Sequence, residues 1–251
     1  MSIWVCGEVL IDLIPGADGV RVPHVGGGPA NTAKALARLG LDSYFIDGIS
    51  TDEYGIAARK ELLDDEVKLD LALKSDKPTC LATVTLDANG GASYEFLIDG
   101  TATFDFSLEW LPDPSRYKPN VLHIGTLVTV IEPGADVLYD WAIRVAEFAP
   151  IVYDPNIRPS VMGDRDKYQA SVEKWAAISS VIKVSDDDMA WLYPGVEYAD
   201  VAKRWINDGA ALVVVTRGAD GLVGFTADGV VEVPGVKVDV ADTVGAGDTV
   251  G

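Results

Sequence analysis

Basic side chains are scarce in this sequence of 251 residues: 20 Lys and Arg stand against 39 Asp and Glu, a formal charge of −19. That balance excludes a nucleic-acid binder acting through bulk electrostatics, because such proteins present clustered excess cation. Cysteine is almost missing too. With only Cys6 and Cys80 and no Cys-x-x-Cys pair, neither a disulfide framework nor a zinc site is expected, and a reducing, cytoplasmic location is. The two histidines, His24 and His123, have no partner at metal spacing and read as packing or solvent-facing residues. No apolar run reaches bilayer length, so no membrane partner is expected. The N-terminus lacks a basic stretch and is interrupted by Glu8 and Asp12, so it does not read as a signal peptide. The P-loop pattern GxxxxGK[ST] is absent as well, which closes that route to nucleotide chemistry.

What is present is an ordinary globular composition, 48% hydrophobic and 24% charged, long enough for one large α/β domain or two small ones. Apolar, β-branched runs at Ile3–Cys6, Tyr44–Ile46, Val121–Ile124, Ile151–Tyr153, Val181–Val184 and Leu212–Thr216 alternate with stretches of helical period. The helical stretches lie near Ala30–Leu39, Glu53–Leu63, Ala135–Phe148, Lys167–Ala177 and Ala199–Asn207. This alternation predicts a parallel sheet covered by helices. Two hairpins interrupt it: Thr79–Leu86 returning as Ala92–Ile98 around Asn89-Gly90-Gly91, and Leu222–Phe225 returning as Val230–Val233 around Asp228-Gly229.

Several short motifs offer chemistry, each beside a plainer reading. Gly26-Gly27-Gly28-Pro29-Ala30-Asn31 is either a tight turn before a helix with Pro at its first position or a close-approach loop whose N–H groups and Asn31 face a ligand. It is not the dinucleotide GxGxxG, which needs Gly where Asn31 stands. Asp12 follows the first strand, at the sheet end where open α/β folds bind ligands; it is a sugar-hydroxyl acceptor or a solvated loop acid. Asp154-Pro155-Asn156-Ile157-Arg158 places an acid, an amide and a guanidinium behind another strand, as a local ion pair or as a phosphate grip. Ser185-Asp186-Asp187-Asp188 reads as a capped, acidic helix start, with Asp188 as a candidate for Mg²⁺ held through water. Thr216-Arg217-Gly218-Ala219-Asp220-Gly221 is a simple turn or a backbone approach to a nucleotide. In Asp242-Thr243-Val244-Gly245-Ala246-Gly247-Asp248 the residues Gly245, Ala246 and Gly247 can form an N–H nest for anionic oxygens. Asp248 beside that nest would repel a phosphate unless it had a task, and accepting the proton of an attacking hydroxyl is such a task.

Taken together, Asp12, the run at 26–31 and the run at 242–248 resemble the ribokinase-like (PfkB) carbohydrate kinases over essentially the whole chain. The stretches His123-Ile124-Gly125, Glu132-Pro133, Asp154–Arg158 and Lys183–Asp188 look most like fructokinases. The resemblance implies a single three-layer α/β domain over 1–251, with a mainly parallel central sheet flanked by helices and a small β-hairpin lid, its elements about 13–25 and 79–106. It implies an ATP-dependent transfer of the γ-phosphoryl group to a sugar hydroxyl, fructose giving fructose 6-phosphate. Asp248 would be the base, Gly245, Ala246 and Gly247 the anion hole, and Arg158 would lie near the phosphoryl group and the sugar. Asp12, Gly27, Gly28, Asn31 and Phe96 would bind the sugar; Lys183, Thr216, Gly218 and Gly221 would meet the nucleotide; Asp188 would attend Mg²⁺. The cofactors implied are ATP and Mg²⁺, with K⁺ in some members, and the partner is a second subunit paired through the lid. Ser185 and Asp188 stand where the family usually has Asn-x-x-Glu. Family members continue past the 242–248 motif with segments that complete an adenine pocket, so a C-terminal segment beyond Gly251 is expected. Kinases of 2-keto-3-deoxygluconate or of nucleosides, and a non-catalytic sugar-binding module, are the alternatives.

Overall fold

The β-branched runs fold as strands because their side chains pack on both faces of a pleated sheet. A computed structural model describes residues 1–16, 18–86, 92–237 and 245–251. In chain order its elements are β1 (Ser2–Cys6), β2 (Leu10–Pro15), β3 (Arg21–Gly26), α1 (Gly28–Arg38), β4 (Asp42–Ile46), β5 (Gly48–Ser50), α2 (Glu53–Asp64) and β6 (Leu73–Ser75). There follow β7 (Leu81–Leu86), β8 (Ala92–Leu97), α3 (Pro114–Tyr117), β9 (Val121–Gly125), a 3-10 turn (Thr126–Thr129), α4 (Gly134–Ala146), β10 (Ile151–Asp154) and α5 (Arg165–Ala176). The last described elements are β11 (Val181–Ser185), α6 (Asp186–Leu192), α7 (Tyr198–Asn207), β12 (Leu212–Thr216), a 3-10 turn (Gly218–Asp220), β13 (Leu222–Thr226), β14 (Gly229–Val233) and α8 (Ala246–Val250).

Eight strands form the central sheet in the order β14-β13-β12-β11-β10-β9-β1-β4. The six from β12 to β4 are parallel, and β13 and β14 add an antiparallel edge. Period-two alternation splits β1 between two cores: Ile3 and Val5 join Ala30, Ala33 and Ala37 of α1 and Leu62 of α2, while Trp4 and Cys6 face the larger core. That larger core takes Trp141 of α4, Trp175 of α5, Leu192 of α6 and Trp205 of α7. Trp4 stacks on Trp141 at 5.8 Å between ring centroids, so the scattered tryptophans serve mainly as core.

A second sheet of four strands, ordered β3-β2-β7-β8, joins the two segments expected to form a lid. The turn expected at Asn89-Gly90-Gly91 lies outside the described residues, as do Asp242, Thr243 and Val244. Periodicity did not reveal β5 and β6, three residues each and paired with one another, because so short a run shows no alternation. Among the described residues no helix is long and apolar enough to cross a membrane.

The strand order locates the crevice. From β1 the chain passes through α1 to β4 on one side, and later returns to β9 on the other. The carboxyl ends of β1 and β9 are therefore a topological switch point, where connections diverge and open a crevice in doubly wound sheets.

Candidate active site

At this switch point the sequence motifs meet. Asp248 lies in the first turn of α8, and each of its carboxylate oxygens receives one amide: Asn31 Nδ2 donates to Oδ2 at 2.9 Å, and Asn156 Nδ2 to Oδ1 at 3.3 Å. The Thr32 hydroxyl donates to the Asp248 main-chain oxygen at 2.9 Å, which ties α8 to the start of α1. Two neutral amides orient a carboxylate without neutralising it. Gly245, in the left-handed region at φ 74°, precedes α8. The N–H groups of Ala246, Gly247 and Asp248 open the first turn of α8, where no intrahelical acceptor precedes them.

The glycine turn is shaped by close approach. Gly27 has φ 110°, and a Cβ there would stand 2.3 Å from the Glu8 main-chain oxygen. At Gly28, where α1 begins with Pro29 next in line, an added Cβ would stand 2.9 Å from Asn156 Nδ2, 3.0 Å from Thr126 Cγ2 and 3.2 Å from Asp248 Oδ1. Gly28→Ala keeps its helical backbone but crowds the carboxylate, so the variant is expected to fold with an unchanged Tm while kcat/KM falls by about tenfold or more. Steady-state kinetics beside a thermal melt check this; unchanged kcat/KM would show that the contact is idle.

Arg158 is exposed and forms no ion pair among the described residues. Its guanidinium donates to Asn156 Oδ1 at 2.8 Å and to the main-chain oxygens of Asn156 and Ile157, and its own N–H donates to the Tyr168 hydroxyl at 3.1 Å. Asn156 sits in the left-handed region at φ 38° and so links Arg158 to Asp248. The acid beside Arg158 in sequence points elsewhere: Asp154 pairs with Lys183 at 2.8 Å, with the two side chains 4% and 7% exposed. Burial pushes the Asp154 carboxyl up to about 6 against the pull of Lys183. Lys183 Nζ also lies 3.3 Å from where a Cβ on Gly247 would stand. Beside this pair, burial and then Lys183 hold His123 down to about 4, so its ring is neutral.

Asp12, on β2, stands opposite His24 of β3 and Ala82 of β7, and Ala82 stands opposite Phe96 of β8. Directly opposed residues share a face, so Asp12, His24 and Phe96 form one row of the small sheet. Partial burial raises the Asp12 carboxyl above its usual range, while His24 and then Arg158 lower it. Asp188, at the start of α6, accepts from the Ile157 N–H at 3.2 Å and donates its own N–H to the capping Ser185 hydroxyl at 3.0 Å. Burial raises its carboxyl, opposed chiefly by the Ser185 hydrogen bond and by Arg158. Among the described residues no group of three or more His, Cys, Asp and Glu is arranged to hold a metal ion. Thr216 ends β12, and its hydroxyl donates to the Val184 main-chain oxygen at 3.4 Å; Gly218 opens the 3-10 turn that follows and Gly221 closes it. Sequence reasoning did not single out Glu8, Thr126 or Asn156 as site residues. Asn156 carried a signal in its place behind a strand, and Glu8 in being an acid inside an apolar run.

Comparison with known proteins supplies the family. The family model for pfkB family carbohydrate kinases matches residues 2–250. A fructokinase of Rhizobium leguminosarum bv. trifolii is 37% identical over 252 residues, covering 98% of this chain and 76% of the relative. An aminoimidazole riboside kinase of Salmonella typhimurium is 29% identical, covering 98% and 77%. The solved fructokinase of Xylella fastidiosa with bound ATP superposes with a TM-score of 0.90 at 26% identity, covering 98% of this chain and 78% of that one. With a ribokinase-like fold and a family match along nearly its whole length, the chain belongs to the pfkB family of carbohydrate kinases and is a phosphotransferase acting on a sugar hydroxyl.

Proposed function

We propose that the chain transfers the γ-phosphoryl group of ATP to a hydroxyl of fructose, giving fructose 6-phosphate and ADP, with Asp248 as the base. The observation that carries this reading is the Asp248 carboxylate, held by Asn31 and Asn156 at the switch point beside the N–H groups that open α8. In the transfer the sugar oxygen forms a bond to the γ-phosphorus, the bond from that phosphorus to the β–γ bridging oxygen breaks, and the hydroxyl proton passes to Asp248. Phosphoryl transfer asks the protein for alignment and for positive partial charge at the equatorial oxygens. Gly245, Ala246 and Gly247 supply main-chain donors, and Arg158 supplies a planar cation that pairs with no carboxylate among the described residues. Asp12, Gly27, Gly28 and Asn31 line the sugar side, with Phe96 in the Asp12 row; Thr216, Gly218 and Gly221 meet the nucleotide.

Lys183 sets the potential under the phosphates from its buried pair with Asp154. Mg²⁺ fits a donor set with one carboxylate, Asp188, because this ion keeps several waters and binds largely through phosphate oxygens; when bound it neutralises phosphate charge. A net charge of −19 opposes nucleotide binding at long range, so affinity rests on these local donors. We place the lid in the four-stranded sheet, and the contact with a second subunit there too, where Ile14, Val22 and Leu97 are exposed. Buried, unpaired Cys6 and Cys80 accord with a cytoplasmic location.

The test is ADP release from MgATP with fructose, ribose, glucose, 2-keto-3-deoxygluconate, adenosine and aminoimidazole riboside. Release with fructose alone is the expected result. Release with the riboside alone transfers the assignment to a nucleoside kinase, a reading favoured by the Salmonella relative.

A further inference from the structure

The ends of β1 and β9 each carry a residue that the roles above leave unused. Glu8 follows β1 and is 3% exposed. Its Oε1 accepts from the Thr126 hydroxyl, and its Oε2 has no hydrogen-bond partner among the described residues. A carboxyl buried with one oxygen unsatisfied is unfavourable, so its presence calls for a reason. Thr126 follows β9 in the left-handed region at φ 59°. A β-branched residue avoids that conformation unless its surroundings impose it, and such residues cluster at functional sites. Here the imposed conformation brings Thr126 Cγ2 against Gly28, within 3.0 Å of where a Cβ would stand, beside Asp248 Oδ1. Glu8 meets the same turn from below, its main-chain oxygen lying against Gly27.

We propose that Glu8 is a positioning residue for phosphoryl transfer: by holding the Thr126 hydroxyl it keeps Thr126 left-handed, and thereby fixes the Gly27–Gly28 turn against the Asp248 carboxylate. This rests on the reading of Asp248 as the base. Two residues 118 apart in sequence thus form the floor under a carboxylate whose other contacts, Asn31 and Asn156, come from α1 and the loop after β10. The charge environment agrees. Burial lifts the Glu8 carboxyl to about 7, against the Thr126 hydrogen bond and the Arg158 guanidinium, and Asp248 adds to the rise. The other groups facing it are Cys6 from β1, Asp47 after β4, Cys80 before β7 and Tyr168 from α5, each itself pushed upward by burial. Glu8 therefore changes charge near neutrality within reach of Arg158 and Asp248.

The experiment is steady-state kinetics of the full chain with MgATP and its accepted sugar, for wild type, Glu8→Gln, Thr126→Val and Thr126→Ser, each with a thermal melt. Thr126→Val, isosteric but without the hydroxyl, is expected to lower kcat about tenfold or more while KM for both substrates stays within about threefold. Thr126→Ser recovers most of that loss. Glu8→Gln, which keeps an acceptor for Thr126, removes the limb of the kcat profile near pH 7. An unchanged kcat in Thr126→Val, a loss that serine does not recover, or a Glu8→Gln profile superimposable on wild type overturns the proposal. Wild-type turnover in the same assay tests the kinase reading separately. Melting needs no turnover: a carboxyl raised on folding stabilises at low pH and loses that contribution as pH rises through about 7. Wild-type Tm is thus expected to fall more steeply than that of Glu8→Gln between about pH 5 and pH 8, and equal slopes also overturn the proposal.

Discussion

Asp248→Asn is expected to lower kcat by about two to four decades, the usual share of a positioned general base, while leaving the fold intact. The asparagine is isosteric, but it removes the proton acceptor and presents an NH₂ group to one of two donors, Asn31 Nδ2 or Asn156 Nδ2, that now bond the carboxylate. One of those two hydrogen bonds is lost, and α8 stays anchored through the Thr32 hydroxyl on the main-chain oxygen of residue 248. Removing a negative charge beside the donors for the γ-phosphoryl group also weakens repulsion of the nucleotide. KM for MgATP is therefore expected to stay level or fall, which separates this variant from one that merely damages the pocket. The measurement is kcat and both KM values at saturating co-substrate, with circular dichroism as the control on folding. Near wild-type kcat would remove Asp248 from the base role.

The parallel sheet was legible because its strands are buried on both faces and so read as apolar runs: Leu212–Thr216 appears in the fold with the same bounds. Local chemistry was legible where it depends on neighbours in sequence, as with the Ser185 hydroxyl capping α6 on the Asp188 N–H or Pro29 in the first turn of α1. Pairings set by strand register were hidden. In sequence Asp154 stands near Arg158, yet β10 lies beside β11, and there the buried Lys183 takes the acid while the guanidinium turns to Asn156. Glu8 reads as an interruption of an apolar stretch until β1 is laid beside β9 and Thr126 comes within hydrogen-bonding reach. The left-handed conformation of Thr126 runs against the local preference of a β-branched residue and is imposed by its surroundings at the strand end, whereas Asn156 is of a type that tolerates that region.

Lys183→Met is the second variant with a large expected effect, and it acts on stability. Lys183 and Asp154 are both almost fully buried and bonded at 2.8 Å, so removing the ammonium leaves a carboxylate without a counter-charge in a medium that opposes ionisation. Breaking a buried pair in this one-sided way costs about 3–5 kcal/mol, roughly 6–20 °C in Tm for a chain of this size. His123 loses one of the two causes that hold it low when Lys183 is removed, but burial, the larger cause, still opposes a charge on its ring. The sign with pH follows from Asp154. Its folded-state value of about 6 exceeds the ordinary 3.8 of an aspartate, so its contribution to stability is fully present below the unfolded value and is lost as pH rises through the folded one. Without Lys183 the folded value rises further, and the loss extends to higher pH. The Tm gap between wild type and Lys183→Met is thus expected to widen from about pH 5 to pH 8 and to narrow below, where Asp154 is protonated in both proteins. Adding Asp154→Asn should recover most of the gap, because a neutral pair has no charge to strand. A gap that stays constant with pH, or that the double variant fails to close, would mean that Lys183 stabilises through the packing of its stem and not through the ion pair.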